Sequence, residues 1–322
     1  MSELIAGTAP VMRRVRAYFA PVDRVAGTPT VFDAAGMATF VLDAPAAPWV
    51  DLGWGTGFAR KSGSKIEALV AGVPGQVVGQ VRTEVEAEVR LEFESWGKLQ
   101  MALAAGSQQM NVLGLAAGAA ANGSGGLAGA AVPLLSGSTA TQLNVGATAA
   151  AGFGVGELVA VDVDYAGQVG FVGSGVSGGY VKSAVSVGSN ANYVRRVTLN
   201  VARITSIANG VLGLGSALIA GVPAVGMQVS PVVGFCDREG GSFFQEWSAL
   251  FVVEGEQGDR VIFHYPRLQA MQGAAEEMVA VGAGLEKVRL AGAWRALPVV
   301  DANDGEMVVC FRSYLPGSGR AV

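Results

Sequence analysis

The sequence predicts a mainly β protein: a β-sandwich or barrel with a short flanking helix and a small inserted β module. The first observation concerns residues 81–94, which alternate without a break between mostly apolar and charged side chains, as in a strand with one buried face. The second concerns glycine, which makes up 47 of 322 residues and concentrates with alanine, serine and valine between residues 106 and 190. Patterned segments on both sides of that stretch indicate one β scaffold with an insertion.

We therefore expect a discontinuous β domain formed by residues 1–105 and 235–322. Residues 106–234 would form the inserted domain, which is rich in glycine and alanine. The N-terminal part ends in the predicted helix and the C-terminal part supplies further strands, as one interrupted sheet requires.

The predicted helix follows the alternating strand directly. Ser95 has the chemistry of an N-cap, and Gly106 fits a C-cap. Between them Trp96, Leu99 and Leu103 recur at helical spacing. This pattern predicts a short helix that lays its apolar side, including Trp96, on the sheet.

The insertion carries its own strand signals. Residues 155–165 alternate, and residues 195–207 are mostly β-branched or apolar, so each predicts a strand. Asn209-Gly210 is a strong hairpin-turn signal because both residues tolerate positive φ. Residues 211–218 would return as the partner strand.

The last third of the chain predicts a run of strands. They cover residues 243–254, 260–268, 278–297 and 307–314, and the third is either one long strand or two joined at Gly282 and Gly284. Pro266 predicts the end of its strand or an edge position, because proline cannot donate to the ladder.

The composition points to extensive contact between subunits. Hydrophobic residues make up 51% of the chain and charged residues only 15%, so neighbouring copies would cover apolar surface. The net charge of −4 gives no sequence-wide basic footprint for tight nucleic-acid binding. The apolar stretch at residues 110–135 is broken by glycines and Pro133, so we expect no membrane partner.

Enzyme chemistry is not predicted, and we expect no catalytic, cofactor-binding or metal-binding residues. Gly173, Gly175 and Gly178 match GxGxxG literally, but strand-like residues follow them where a dinucleotide site needs a helix. His264 is the sole histidine and fits a structural role in a strand. Cys236 and Cys310 are expected to be buried free thiols.

Several segments together resemble the tail tube (major tail) proteins of tailed bacteriophages. The segments that carry the resemblance are PWVDLGWGTGF at 48–58, EVEAEVRLEFESWGKLQMALA at 84–104, FFQEWSALFVVEGEQGDRVIFHYPRLQ at 243–269, and the strand region 278–297. They cover about half of the chain and match in shape and spacing, without an invariant motif.

The resemblance implies a tail-tube-type β fold, with two packed sheets and a flanking helix, in which neighbouring copies join their long strands into one inner barrel. Rings, as hexamers or pseudo-hexameric trimers, would stack in the virion tail after assembly in the host cytoplasm. DNA would pass through the lumen without sequence-specific binding. Other implied partners are the tape measure, terminator and baseplate proteins, and the sheath where the tail contracts.

Two sets of residues are candidates for these roles. A row of acids on one strand face fits a solvated surface, and an acidic lumen would repel DNA phosphates. The lumen-lining candidates are Glu84, Glu86, Glu88, Glu92 and Glu94. The assembly-strand candidates are Val85, Val89, Leu91, Phe93, Phe251 and Val253.

Three alternatives stay open. The chain could hold two tube-like domains in tandem and form trimeric rings, or it could be another tail, baseplate or injection-machine component. A nucleotide-binding enzyme is the least favoured of the three.

Overall fold

The computed structural model describes residues 14–22, 28–120, 123, 126–163, 192–240, 246–255, 258–271, 275–282 and 284–316. It is 55% strand and 8% helix, and its sheets are antiparallel, which confirms the mainly β class.

Seventeen strands are present in the described residues. They are β1 (Arg14–Pro21), β2 (Val50–Ala71), β3 (Gln76–Phe93), β4 (Gln108–Leu113), β5 (Val132–Pro133), β6 (Gln142–Asn144), β7 (Leu158–Asp162), β8 (Val201–Ala208), β9 (Val211–Leu214), β10 (Gln228–Arg238), β11 (Glu246–Glu254), β12 (Arg260–Ala270), β13 (Ala275–Gly282), β14 (Leu285–Ala296), β15 (Val299–Val300), β16 (Met307–Val308) and β17 (Phe311–Leu315). The helices are α1 (Lys98–Ala105), α2 (Ala147–Ala150) and α3 (Tyr193–Val197), with a 3-10 turn at Ala34–Thr39.

Six strands close into a barrel. The sheet runs β13-β14-β3-β2-β1-β11-β12-β17, and β12 also pairs with β14, which joins β14, β3, β2, β1, β11 and β12 into a ring. Closure uses a short contact in which Leu268, Gln269 and Ala270 lie opposite Ala296, Arg295 and Trp294. The strands of this sheet come from residues 14–93 and 246–315.

Aromatic side chains fill the barrel. The ring of Phe19 lies 5.4 Å from Trp294 and 5.9 Å from Phe251, and Phe93 lies 6.0 Å from Trp294. Helix α1 packs against β12, β13 and β14 and adds its leucines to the same core. A buried aromatic cluster of this size supplies much of the apolar burial that holds a small barrel together.

The alternation predicted for β3 is confirmed where the strand lines the barrel. Ala87, Val89, Leu91 and Phe93 are buried, while the residues between them are partly or fully exposed. The inward face of the strand thus matches the apolar phase of the sequence.

The helix prediction is confirmed, but its start is wrong. Helix α1 begins at Lys98 with Gly97 in the N-cap position, and it ends at Gly106, whose φ of 66° is the predicted left-handed C-cap. The Ser95 hydroxyl instead donates to the Leu52 carbonyl. Trp96 is not in the core, because it lies before the helix and its ring contacts that of Phe235 at the surface, with 5.6 Å between the ring centroids.

A second sheet forms around a separate core. Its order is β4-β10-β7-β8-β9-β6, β5 pairs with β10, and its strands come from residues 108–238. The turn at Asn209 and Gly210 is confirmed, with φ values of 50° and 81° and a β8–β9 ladder on both sides. The strand predicted from residue 195 is wrong at its start, because residues 193–197 form α3.

The strands of the last third are largely as predicted. Gly282 and Gly284, with φ values of 112° and 78°, join β13 and β14, so residues 275–296 form a hairpin. Pro266 does not end its strand. A register shift beside Ser248 lets β12 continue through it, and the Ser248 hydroxyl donates to the Pro266 carbonyl at 2.7 Å.

Replacing Trp294 with alanine should lower the free energy of unfolding by about 3–5 kcal/mol, because a large buried ring would leave a cavity among the other aromatics. Trp96→Ala should cost about 1 kcal/mol or less, because Trp96 is 54% exposed. Urea unfolding followed by circular dichroism measures both variants. Equal losses would contradict the placement of Trp294 in the core.

Candidate assembly surface

The most prominent surface feature is the end of the β2–β3 hairpin. Its strands pair from Gly55 opposite Phe93 to Ala71 opposite Gln76. Within the described residues β1 pairs with β2 only as far as Gly55, and β14 pairs with β3 only from Glu88 onward. Residues 61–86, here called the arm, therefore form a two-stranded ribbon that extends roughly 35 Å beyond the barrel, at about 3.3 Å per residue.

The arm is exposed on both faces. Every residue from 61 to 86 is exposed except Gly79, which is partly buried. Both outer edges of the arm have no strand partner in the described part of the chain. Unpaired edges present free backbone donors and acceptors, which makes them templates for pairing with another strand.

The end of the arm is apolar on both of these exposed faces. Between Ile66 and Val81 the only charged residue is Glu67. The exposed apolar side chains are Ile66, Leu69, Val70, Val73, Val77, Val78 and Val81. An apolar surface of this kind, carried on a ribbon without a core, is a candidate site of contact with another molecule.

A register shift in the arm rearranges its two faces. Glu84 lies opposite Lys65, but Arg82 lies opposite Ile66. Because Lys65 and Ile66 are neighbours in one strand and point to opposite faces, Glu84 and Arg82 also lie on opposite faces. The alternation of the sequence therefore describes one continuous face only from Glu84 to Glu92.

The acidic row carries mixed charge in the folded protein. Glu88 lies opposite Lys61 and 3.7 Å from Arg295, and Glu92 lies 3.3 Å from Arg289. Glu84 lies opposite Lys65, Glu86 opposite Gly63, and Glu94 is exposed just after β3. Acids and cations are therefore mixed on this face, and Glu86 is the acid that lies opposite a glycine.

Most assembly-strand candidates belong to the barrel interior. Val89, Leu91, Phe93, Phe251 and Val253 are buried in the aromatic core, so their side chains contact their own chain. Val85 is exposed on the arm. The exposed apolar residues between 66 and 81 were missed, although the near absence of charge in that stretch is a signal that could have identified them.

A second hairpin leaves the barrel at the other end. Leu290 lies opposite Phe93 and Arg295 opposite Glu88, so the chain before Leu290 extends past the end of β3. The arm instead extends past the end of β14, because it precedes Glu88 in sequence. The β13–β14 hairpin, with exposed Met278 and Val288, and the arm therefore project from opposite ends.

The potentially reactive side chains named in the sequence analysis, one histidine and two cysteines, lie in the described residues. His264 lies in β12 between Trp49 and Phe311, and burial lowers its pKa to about 4. Cys236 and Cys310 are free, and each is only partly buried. No group of three or more metal-ligating side chains occurs in the described residues.

Two sequence features remain to be placed. The GxGxxG glycines at 173, 175 and 178 lie outside the described residues. No helix in the described part of the chain is both long and apolar enough to span a membrane.

The chain matches no protein-family model, and no curated protein matches its sequence significantly.

If copies of the chain associate through the arm, Val77→Glu should weaken that association while changing the free energy of unfolding by no more than about 0.5 kcal/mol, because Val77 is 63% exposed. Val222→Glu is the matched control, because Val222 is 71% exposed in a loop of the second sheet. Sedimentation velocity measures association and urea unfolding measures stability. A large loss of stability in Val77→Glu would show that the arm is part of the folded core.

Proposed function

We propose that this chain is a structural subunit of a phage tail tube, which assembles into stacked rings around a lumen that conducts DNA. The observation that carries the proposal is the arm. A two-stranded ribbon is marginally stable in water at best, and this one has an apolar end and two unpaired edges in the described residues. A second copy of the chain supplies both missing elements, namely strands for the edges and apolar surface for the end.

The opposite placement of the two hairpins supports a head-to-tail contact. The arm leaves one end of the barrel and the β13–β14 hairpin leaves the other. Contacts between unlike surfaces of identical subunits generate closed rings or open stacks, depending on the rotation between neighbours. A tube needs both kinds of contact, one around the ring and one along the axis.

The charges on β3 suit a surface along which DNA slides. Binding to DNA gains free energy when cations on the protein replace the counterions of the phosphates. On this face Arg289 and Arg295 already contact Glu92 and Glu88. These two ion pairs reduce the attraction that Arg289 and Arg295 offer to phosphate.

The two sheets favour a single tube domain with an insertion over two tube domains in tandem. The first sheet closes into a six-stranded barrel against which α1 packs, whereas the second has a different strand order and a separate core. Trimeric rings with pseudo-sixfold symmetry would require two similar domains.

Purified protein at rising concentration should form stacked rings visible by negative-stain electron microscopy. Monodisperse monomers at high concentration would overturn the proposal. Isolated discs would favour a different tail, baseplate or injection-machine component.

Replacing residues 66–83 with an Asn-Gly turn, which keeps Lys65 opposite Glu84, should give a folded barrel that does not assemble, because it removes the apolar end and shortens the unpaired edges. Circular dichroism checks the fold and electron microscopy checks the assembly. Tubes formed by this variant would show that the arm does not make the contact.

Glu86→Lys should leave ring assembly intact and slow the passage of DNA, because it adds a cation opposite Gly63, where no acid pairs with it. Glu239→Lys, at an exposed position just after β10, makes the same change of charge and serves as the control. The rate of DNA release from particles built with each variant is the measurement. Loss of rings in Glu86→Lys would place this glutamate in an interface.

A further inference from the structure

A polar contact joins the second sheet to the barrel. Three side-chain amides of β4 hold α3 and the residue that follows it. Gln109 donates to the Val197 carbonyl at 2.7 Å, Asn111 donates to the Arg195 and Thr198 carbonyls at 3.0 and 2.8 Å, and Gln108 bonds the Tyr193 hydroxyl. Strand β4 belongs to the second sheet, whereas Val194 and Val197 belong to the core of the barrel.

The amine of Lys98 lies at the centre of this contact. Lys98 is the first residue of α1, and its Nζ donates to Asn111 Oδ1 at 2.7 Å and to the Thr198 carbonyl at 3.3 Å. The Nζ atom of Lys98, at the start of α1, therefore contacts both β4 and the residue that follows α3.

The surroundings suit a neutral amine. A neutral amine has two N–H groups, and the two oxygens that Lys98 contacts match them, whereas an ammonium group has three N–H groups and a full charge. Neither oxygen is charged. In the described part of the chain, no carboxylate lies within ion-pair distance of Lys98.

The charged and titratable groups on the elements around α1 and α3 do not supply a counter-charge in this structure. Asp237 accepts from Ser107, Arg238 bonds Gln108, Arg267 bonds Glu246, and Arg289 pairs with Glu92 and Glu277. The full set on and beside these elements is Glu94, Asp162, Tyr193, Arg195, Arg196, Cys236, Asp237, Arg238, Arg260, His264, Tyr265, Arg267, Glu276, Glu277, Glu286, Lys287, Arg289 and Arg295.

We propose that Lys98 is a proton-operated latch between the barrel and the second sheet. When its amine takes up a proton, the contacts that hold β4 and α3 against α1 loosen. They tighten again when the proton leaves. The proposal does not depend on the tail tube, because it concerns one contact within one chain.

The latch operates near neutral pH. Burial without a counter-charge lowers the pKa of Lys98 from 10.5 to about 7. Between these two values the unfolded chain holds a proton on this lysine that the folded chain has lost, so the contribution of Lys98 to stability rises with pH across this window. Below pH of about 7 both states are protonated and the full cost of the buried charge remains.

Hydrogen exchange of the whole protein tests the latch. Once the intrinsic pH dependence is removed, amides at residues 108–113 and 193–200 should be less protected at pH 6 than at pH 8.5. Lys98→Met keeps the length of the side chain and removes the proton, so protection in this variant should be equal at the two values. Arg312→Met, which removes a charge at an exposed position of β17 away from this contact and from the arm, is the control and should behave as wild type.

Two results would overturn the proposal. One is equal protection at both pH values in the wild type. The other is a pH-dependent difference that survives in folded Lys98→Met. Should that variant not fold, carbon-13 resonances of lysine side chains in the wild type decide the matter, because a Lys98 that titrates above pH 10 has no latch to operate.

Discussion

The contact between β12 and β14 is the constraint on which the rest of the structure depends. Three residue pairs close the barrel, while β17 pairs with residues 260–264 on the same edge of β12. Leu268 and Trp294, which lie in these strands, are both buried in the aromatic core. The closure joins two strands that are separated in sequence only by β13, and it positions β14 to hold the base of β3. Without that support the arm would have no rigid point of attachment.

The two sheets meet through hydrogen bonds between β4 and α3 and through apolar side chains of α3 that pack in the barrel core. Asn111 and Gln109 reach across to the carbonyls of α3, and Lys98 joins them from the barrel side. Hydrogen bonds of this kind fix orientation and are costly to leave half made. A junction built from them can hold one arrangement firmly and still respond to a change in a single proton.

The sequence predicted the secondary-structure elements better than the contacts between them. Alternation found β3, and Asn209-Gly210 found its hairpin, because both signals are local and strong. The predictions for Ser95 as N-cap and Trp96 as a core residue were wrong, because each has a partner that is distant in sequence. Ser95 bonds the Leu52 carbonyl, and Trp96 contacts the ring of Phe235. Phe251 is buried because the barrel closes around it, and no local sequence pattern predicts that closure. The register shift at Lys65 likewise depends on how two strands pair. A local sequence pattern could therefore not predict that the faces of the arm change there.

The placement of the two hairpins has a consequence for how any polymer built on them would grow. One end of such a filament would display unused arms and the other would display unused β13–β14 hairpins. Because the two ends of the filament expose different side chains, subunits would add to them at different rates, and the filament would grow mainly in one direction. A single kind of capping protein could not stop both ends, and length control would require one factor shaped to receive an arm and another shaped to replace it.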